Sequence, residues 1–310
     1  MINFRYHVVS LTAVFLALAI GLVMGTAALN GPAADELSNK VNALSAQNQQ
    51  YRAQVNQLEA DASKQEQFAN QMAWVTLQNK LLSRRVVIVS MSASTSYVAG
   101  VVQMLGLAGA KVTGQIQLDD SFADPNNSAR LLELANQVAP ASLTNLPANS
   151  NGVETASYLL GSVLLEHTPV IPADTIRTVL KAYTEGQFIT VSGDGVTGPA
   201  EAILLIAARP YTDREADGKN ASMLTMADQF DKVGPLLVAA NGAAGTGNVV
   251  AALRGDPTLS KTISTVDNVA TPQGQITTVL ALTQQLVEHK VGHYGNDSGA
   301  TAMVPPKPAT

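Results

Sequence analysis

The chain has 310 residues, a formal net charge of −5, 46% apolar and only 14% charged residues, and no cysteine. That composition supplies a sizeable core and excludes an intrinsically disordered chain, while the lack of a polybasic footprint argues against a nucleic-acid binder. Without cysteine there is no disulfide, no thiolate catalysis and no Cys-ligated zinc or iron–sulfur cluster, so any copper(I) site has to use Met or His.

The first element is the uncharged run at residues 8–29, VVSLTAVFLALAIGLVMGTAAL. A helix of about 20 apolar residues crosses a hydrocarbon core of roughly 30 Å, and this run is long enough. Arg5 precedes it and Asp35 and Glu36 follow it. The positive-inside bias therefore places residues 1–7 in the cytoplasm and the chain after Asn30 outside it. The competing reading is a cleaved signal peptide. Its apolar region normally runs roughly 7–15 residues, shorter than this one, although Thr26-Ala27-Ala28 offers a cleavage context. Gly21 and Gly25 form a GxxxG pair, the spacing at which two membrane helices approach closely.

Asn30-Gly31-Pro32 reads as a turn, and residues 35–82 are then polar, helix-forming and free of Gly and Pro. Leu37, Val41, Leu44, Asn48, Tyr51, Val55, Leu58 and Ala62 recur at alternating steps of four and three. This spacing predicts a coiled-coil seam with Leu37, Leu44, Tyr51 and Leu58 at d and Val41, Asn48, Val55 and Ala62 at a. Branched a residues with Leu at d favour two strands, and an Asn at a commonly fixes register and partner number. The expectation is a parallel homodimer, because two copies leaving one membrane run in the same direction. The alternative is a long amphipathic helix packed on its own domain. Phe68, Met72, Val75 and Leu82 keep the spacing but slip by about one position, which predicts a local change of supercoil.

Residues 86–294 read as an extracytoplasmic α/β domain. Val86-Val87-Ile88-Val89-Ser90-Met91 is a β-branched apolar run of the buried-strand type. A helix over 97–107 and a strand over 111–118 follow, a β-α-β start. Further strands are expected at 188–192, 203–207, 235–240, 249–253 and 263–266, with helices at 127–138, 154–166, 174–184, 222–232 and 273–289. Such alternation predicts a mostly parallel open sheet with helices on both faces. The Pro-rich tail, residues 295–310, is expected to be disordered.

Ligands of open α/β sheets sit beyond the strand ends, but the chemistry legible there is thin. The loops at 193–198 and 241–247 are Gly-rich, yet neither is GxGxxG or a P-loop, and plain turns are the simpler reading. GxSxG and HExxH are both absent. Asp119-Asp120 reads as a solvated acidic pair, and Asp256 and Asp267 are lone acids near strand ends. For a metal there are two leads. His289 and His293 lie four apart and would share a helix face if the last helix continued, although Gly292 and Gly295 suggest that it ends. Met223 and Met226 are soft thioethers three apart, a pattern more often found as core filling. No catalytic set assembles, so no enzyme activity is expected.

Two stretches carry a resemblance. Arg5-Tyr6-His7-Val8-Val9-Ser10-Leu11-Thr12, running on to Gly21, resembles the opening of the actinobacterial "copper transporter" MctB / SteB family. Ile263-Ser264-Thr265-Val266-Asp267, Thr277–Leu282 and Val291-Gly292-His293-Tyr294-Gly295 resemble its closing segment. The resemblance implies a mycobacterial or corynebacterial type of envelope, and it implies one of two roles. One is copper homeostasis by a channel-forming protein of the outer envelope. The other is that of SteB, a membrane-anchored coiled-coil partner of the cytoplasmic protein SteA, tied to cell separation and to control of a peptidoglycan hydrolase. It implies neither catalytic residues nor a resident cofactor.

Overall fold

The computed structural model describes residues 4–29, 32–193 and 195–307. Residues 1–3 of the segment expected to be cytoplasmic, Asn30-Gly31 of the expected turn, Asp194 of the first Gly-rich loop and the last three residues of the tail lie outside them. The chain divides into two compact units, Met1–Gln65 and Glu66–Thr310.

The first unit holds α1 (Phe4–Leu29) and the first part of α2 (Pro32–Leu77). The stretch Phe4–Ala27 is long and apolar enough to cross a membrane. Its two threonines satisfy themselves within the helix, as hydrocarbon requires: the Thr12 hydroxyl donates to the Val8 carbonyl (2.8 Å) and the Thr26 hydroxyl to that of Leu22 (3.0 Å). Helix α2 runs without Gly or Pro in its interior and carries the i,i+4 pair Glu36–Lys40 at 2.9 Å. Such pairs and good helix formers sustain an exposed helix.

The second unit is a three-layer α/β domain. Its elements in chain order are the end of α2, β1 (Arg85–Met91), α3 (Thr95–Leu107), β2 (Lys111–Leu118), α4 (Asp120–Ala123), α5 (Ser128–Val138), α6 (Gly152–Leu164), α7 (Ala173–Glu185), β3 (Ile189–Val191), β4 (Ala202–Ile206), α8 (Ala216–Val233), β5 (Leu236–Ala239), α9 (Val249–Gly255), β6 (Ser264–Val266), α10 (Pro272–Val287) and β7 (His293–Tyr294). The sheet order is β3-β2-β1-β4-β5-β6-β7, parallel except for β3 against β2. Strands β4 and β5 are buried throughout, which is why they read as unbroken rather than alternating apolar runs. One core, under α5 to α9, includes Val87, Val89, Leu205 and Val238; the other, under α3, α10 and the end of α2, includes Val86, Ile88, Leu204 and Leu237. Alternate residues of one strand thus feed opposite faces.

At the start of the sheet, Glu201 joins Arg84 (2.7 Å) and Arg85 (3.4 Å), and Arg85 also reaches Glu166 at 2.5 Å. Burial raises the Glu201 carboxyl, but the hydrogen bonds from Arg84 and the Arg85 amide outweigh it and hold it below the usual range.

Three expectations are corrected. Residues 249–253 form the helix α9, not a strand: the Asn248 side chain accepts from the Val250 amide (2.9 Å) and the Ala251 amide (3.2 Å), an N-cap that starts a helix there. Helix α10 ends at Val287, His289 follows with φ 55°, and residues 293–294 make the edge strand β7. The tail is held along residues 295–303. The Thr301 amide donates to the His293 carbonyl (2.8 Å), and Tyr294 bridges to Ala302. The tail thereby covers the edge strand β7, an edge that proteins otherwise have to protect.

Candidate functional site

Strand order reverses between β1 and β4, so the crevice beyond their carboxyl ends is where a fold of this kind would take a ligand. Here the crevice is closed. Ser94 is wholly buried, its hydroxyl 2.8 Å from the Met91 carbonyl and 2.7 Å from the Ile206 carbonyl, and so it ties the two strand ends together. Beside it lies a small hollow lined by Met91, Arg209, Tyr211, Asn220 and Met223. Two of its polar side chains, Tyr211 and Asn220, are engaged by the chain itself. Tyr211 donates to Asp120 (3.0 Å), and burial, reinforced by the Asp120 charge, raises the phenol above its ordinary value. Asn220 clamps the Tyr211 backbone from both sides, at 2.9 and 3.2 Å. The expected acidic pair is split: Asp119 accepts from Gln117 (3.0 Å), away from the Tyr211–Asp120 bond.

The second Gly-rich loop has no amide free for a phosphate at its first turn. The Gly242 amide donates to the Asp267 carbonyl (2.5 Å) and the Ala243 amide to the Asp297 carboxylate (2.6 Å), so an acid of the same chain sits where an anion would. Gly247 is required for another reason. Its φ is +79°, and a Cβ there would lie 2.4 Å from the Asn220 amide nitrogen. Gly247→Ala is therefore expected to cost roughly 1–2 kcal/mol from the left-handed backbone alone, with more from the displaced Asn220 clamp. Gly255→Ala, where a Cβ meets nothing within 4 Å, is expected to stay within about 0.5 kcal/mol of the parent. Denaturant midpoints measure both, and equal costs would contradict the assignment.

The strongest polar cluster lies toward the β7 edge of the sheet. Arg254 of α9 and Asp267 after β6 form a pair at 2.9 Å with side chains 4% and 1% exposed. The Arg254 guanidinium also donates to the Thr265 hydroxyl (3.0 Å) and to the carbonyls of Tyr294 (2.9 Å) and Ser298 (3.2 Å). Asp267 accepts the amides of Asn296 (2.7 Å) and Asp297 (3.2 Å). Of the two lone acids, Asp267 is thus a structural anchor. Asp256 is a turn cap: it accepts the Thr258 and Leu259 amides at 2.8 and 2.9 Å, bonds that hold its carboxyl below the usual range.

The histidine pair does not share a helix face, because α10 stops before either residue. His289 is exposed beside a cleft of about 330 Å³ that Arg84, Glu166, Glu201 and Gln285 also line. His293 has both ring nitrogens engaged, Nε2 with the Ser260 carbonyl (3.0 Å) and Nδ1 with the Thr265 hydroxyl (2.9 Å). A carbonyl only accepts, so Nε2 carries the proton. Thr265, which already accepts from Arg254, can then donate to a neutral Nδ1. Met223 and Met226 are core residues at 5% and 0% exposure. Among the described residues no three His, Asp or Glu side chains converge to hold a metal ion.

Burial and then the Arg254 charge push His293 below its ordinary pKa of 6.5, against the opposing Ser260 bond. The unfolded chain therefore binds the extra proton first, and stability rises with pH up to about 6.5 and falls below it. The carboxyls held low at Glu201 and Asp256 act only further down, below the ordinary carboxylate range. Thermal midpoints of the full chain in detergent are expected to drop between pH 7 and 5, and His293→Gln to flatten that slope. Equal slopes in the two proteins would assign the effect elsewhere.

In the first unit, Leu37, Val41, Leu44, Asn48, Tyr51, Val55 and Leu58 all face solvent on α2, Leu37 at 65% and Leu58 at 69%. Gly21 and Gly25 face outward from α1, with nothing within 4 Å of where a Cβ would stand.

Residues 1–305 match the model of a family described as "Copper transport outer membrane protein, MctB". A protein of Mycobacterium tuberculosis (strain ATCC 25618 / H37Rv) called "Copper transporter MctB" is 30% identical over 310 residues, 98% of this chain and 99% of its own length. Its namesake in Mycobacterium leprae (strain TN) is 32% identical over 317 residues, 99% of this chain and 100% of its own length.

Proposed function

This chain belongs to the MctB family, and from that premise we propose that it is a non-enzymatic, single-pass envelope protein acting as a coiled-coil dimer. In this reading it is a scaffold or regulator in cell separation. It engages a peptidoglycan hydrolase through its stalk or domain surface and a cytoplasmic SteA-like partner through residues 1–7. Arg5 before the apolar helix and Asp35 and Glu36 after it support an inside amino terminus and an outside domain. The observation that carries the pairing is the open seam. Leu37, Val41, Leu44, Tyr51, Val55 and Leu58 are each at least half exposed at heptad spacing, and such a stripe is stable in water when a second helix covers it. The non-enzymatic part rests on a strand-end crevice in which Tyr211 and Asn220 are bonded to their own chain and, among the described residues, no nucleophile, base and orienting group come together.

The test uses the full chain in its membrane, with cysteines introduced singly at Leu37 and Leu44 and with protease added to intact cells. The expectation is a disulfide-linked dimer and digestion of the domain from outside. A protected domain without crosslinks would overturn the reading.

The name shared by the relatives favours a second reading, copper homeostasis by forming or supporting an envelope channel. Among the described residues a copy supplies one helix long and apolar enough to span, and an open sheet whose edges are β3 and β7, whereas a lipid-facing sheet has to close. The supporting role is thus the better version. A deletion strain that accumulates copper, rescued by the parent gene but not by His289→Ala with His293→Ala, would favour it.

A further inference from the structure

The last turns of α2, inside the second unit, carry two different apolar faces. Ala69, Ala73, Leu77 and, beyond the helix end, Leu81 step by four and are buried in the domain's own core. Phe68, Met72 and Val75 are 65%, 39% and 63% exposed, and Trp74 and Leu82 flank them at 56% and 65%. The charge pattern changes at the same place. Residues 35–66 hold Asp35, Glu36, Lys40, Arg52, Glu59, Asp61, Lys64 and Glu66, whereas nothing between Gln67 and Asn79 is charged. Aromatic residues and Met without charge are the composition of an interface core, not of a solvated helix face.

The spacing identifies what covers this stripe. In the seam of the stalk the d positions are Leu37, Leu44, Tyr51 and Leu58, so Gln65 follows at d and Ala69 at a. The domain itself uses Ala69, which is 7% exposed. A three-residue step from Gln65 to Phe68 resets the phase: Phe68 and Val75 then fall at d and Met72 at a, again in steps of four and three, up to the helix end at Leu77. A three-residue insertion of this kind overwinds a coiled coil locally and re-aims its seam.

We propose that the interface between two copies of this chain continues past Gln65 through Phe68, Met72 and Val75, in a register offset by three residues from the stalk. The proposal rests on the parallel dimer put forward above. A parallel two-fold pair sets each of these side chains against its own counterpart, so the stripe needs no second complementary surface.

The chain has no cysteine, so single-cysteine variants of the full-length protein in membranes report contacts directly. Leu44→Cys and Val75→Cys are both expected to give disulfide-linked dimers on mild oxidation. Asn70→Cys, on the other side of the exposed helix surface, is expected to lose the band. Crosslinking at Leu44 without crosslinking at Val75 would overturn the proposal and leave the stalk dimer standing. Absence at both positions would overturn the dimer and the proposal together. A Val75 crosslink to a different protein in place of the symmetric band would also overturn it, in favour of another helix on this face.

Discussion

Asp267→Ala is expected to lower the stability of the second unit by roughly 3–5 kcal/mol, the cost of removing one partner from a buried ion pair. The magnitude follows from how completely Arg254 is enclosed: its side chain is 4% exposed and its guanidinium has four acceptors, of which Asp267 alone is charged. Removing the carboxylate leaves a cation that can neither deprotonate nor reach water. It also frees the Asn296 and Asp297 amides, and with them the segment that covers β7. The close approach is tight enough that a Cβ at Gly295 would lie 2.0 Å from an Asp267 oxygen. Chemical unfolding of the full chain in detergent measures the loss, with Asp256→Ala as the comparison. That residue gives up only cap-type bonds, typically worth ~1 kcal/mol. Replacing both members, Arg254→Met with Asp267→Leu, is expected to recover most of the loss, because an apolar pair of similar volume avoids the stranded charge. A cost for Asp267→Ala of no more than ~1 kcal/mol, as exposed pairs give, would show that water reaches the site.

The same cluster marks where the sequence stops being legible. Asp267 stands out as an acid at a strand end, but its partner does not, because Arg254 closes a run that reads as a strand. Val249-Val250-Ala251-Ala252-Leu253 is short and uniformly apolar, and periodicity cannot separate a buried strand from a buried helix at that length. The deciding signal is Asn248, whose side chain caps the first turn. The tail misleads for a related reason. Its Gly and Pro content matches an unstructured segment, and the bonds that pin its start come from Asp267 and Arg254, neither of them near in sequence to the residues they hold. By contrast, β1, β2, α3 and α7 follow from local pattern alone: a β-branched run buried on both faces, and helices with one apolar side. Elements whose identity rests on burial are readable; those held by long-range polar bonds are not.

Leu44→Asp combined with Leu58→Asp is expected to abolish pairing of the full chain. Each d-position leucine of a two-stranded seam is buried by its counterpart, and deleting such a side chain costs roughly 2–5 kcal/mol. An aspartate adds the desolvation of a charge and, in a symmetric pair, a like charge directly opposite. Since every 1.4 kcal/mol is about tenfold in association, two such sites remove several orders of magnitude. Both leucines are well exposed in the single chain, at 64% and 69%, so the substitutions leave the folded domain intact and the effect reads out as mass in detergent. Asn48→Ile should act in the opposite direction. An apolar a residue strengthens the seam, but it deletes the polar contact that restricts partner number, so tighter yet heterogeneous oligomers are expected. The pair of results separates a seam from a merely sticky surface. Any nonspecific apolar contact would be strengthened by Asn48→Ile without a change of stoichiometry, whereas a buried Asn that specifies two strands gives up that specificity when it is removed.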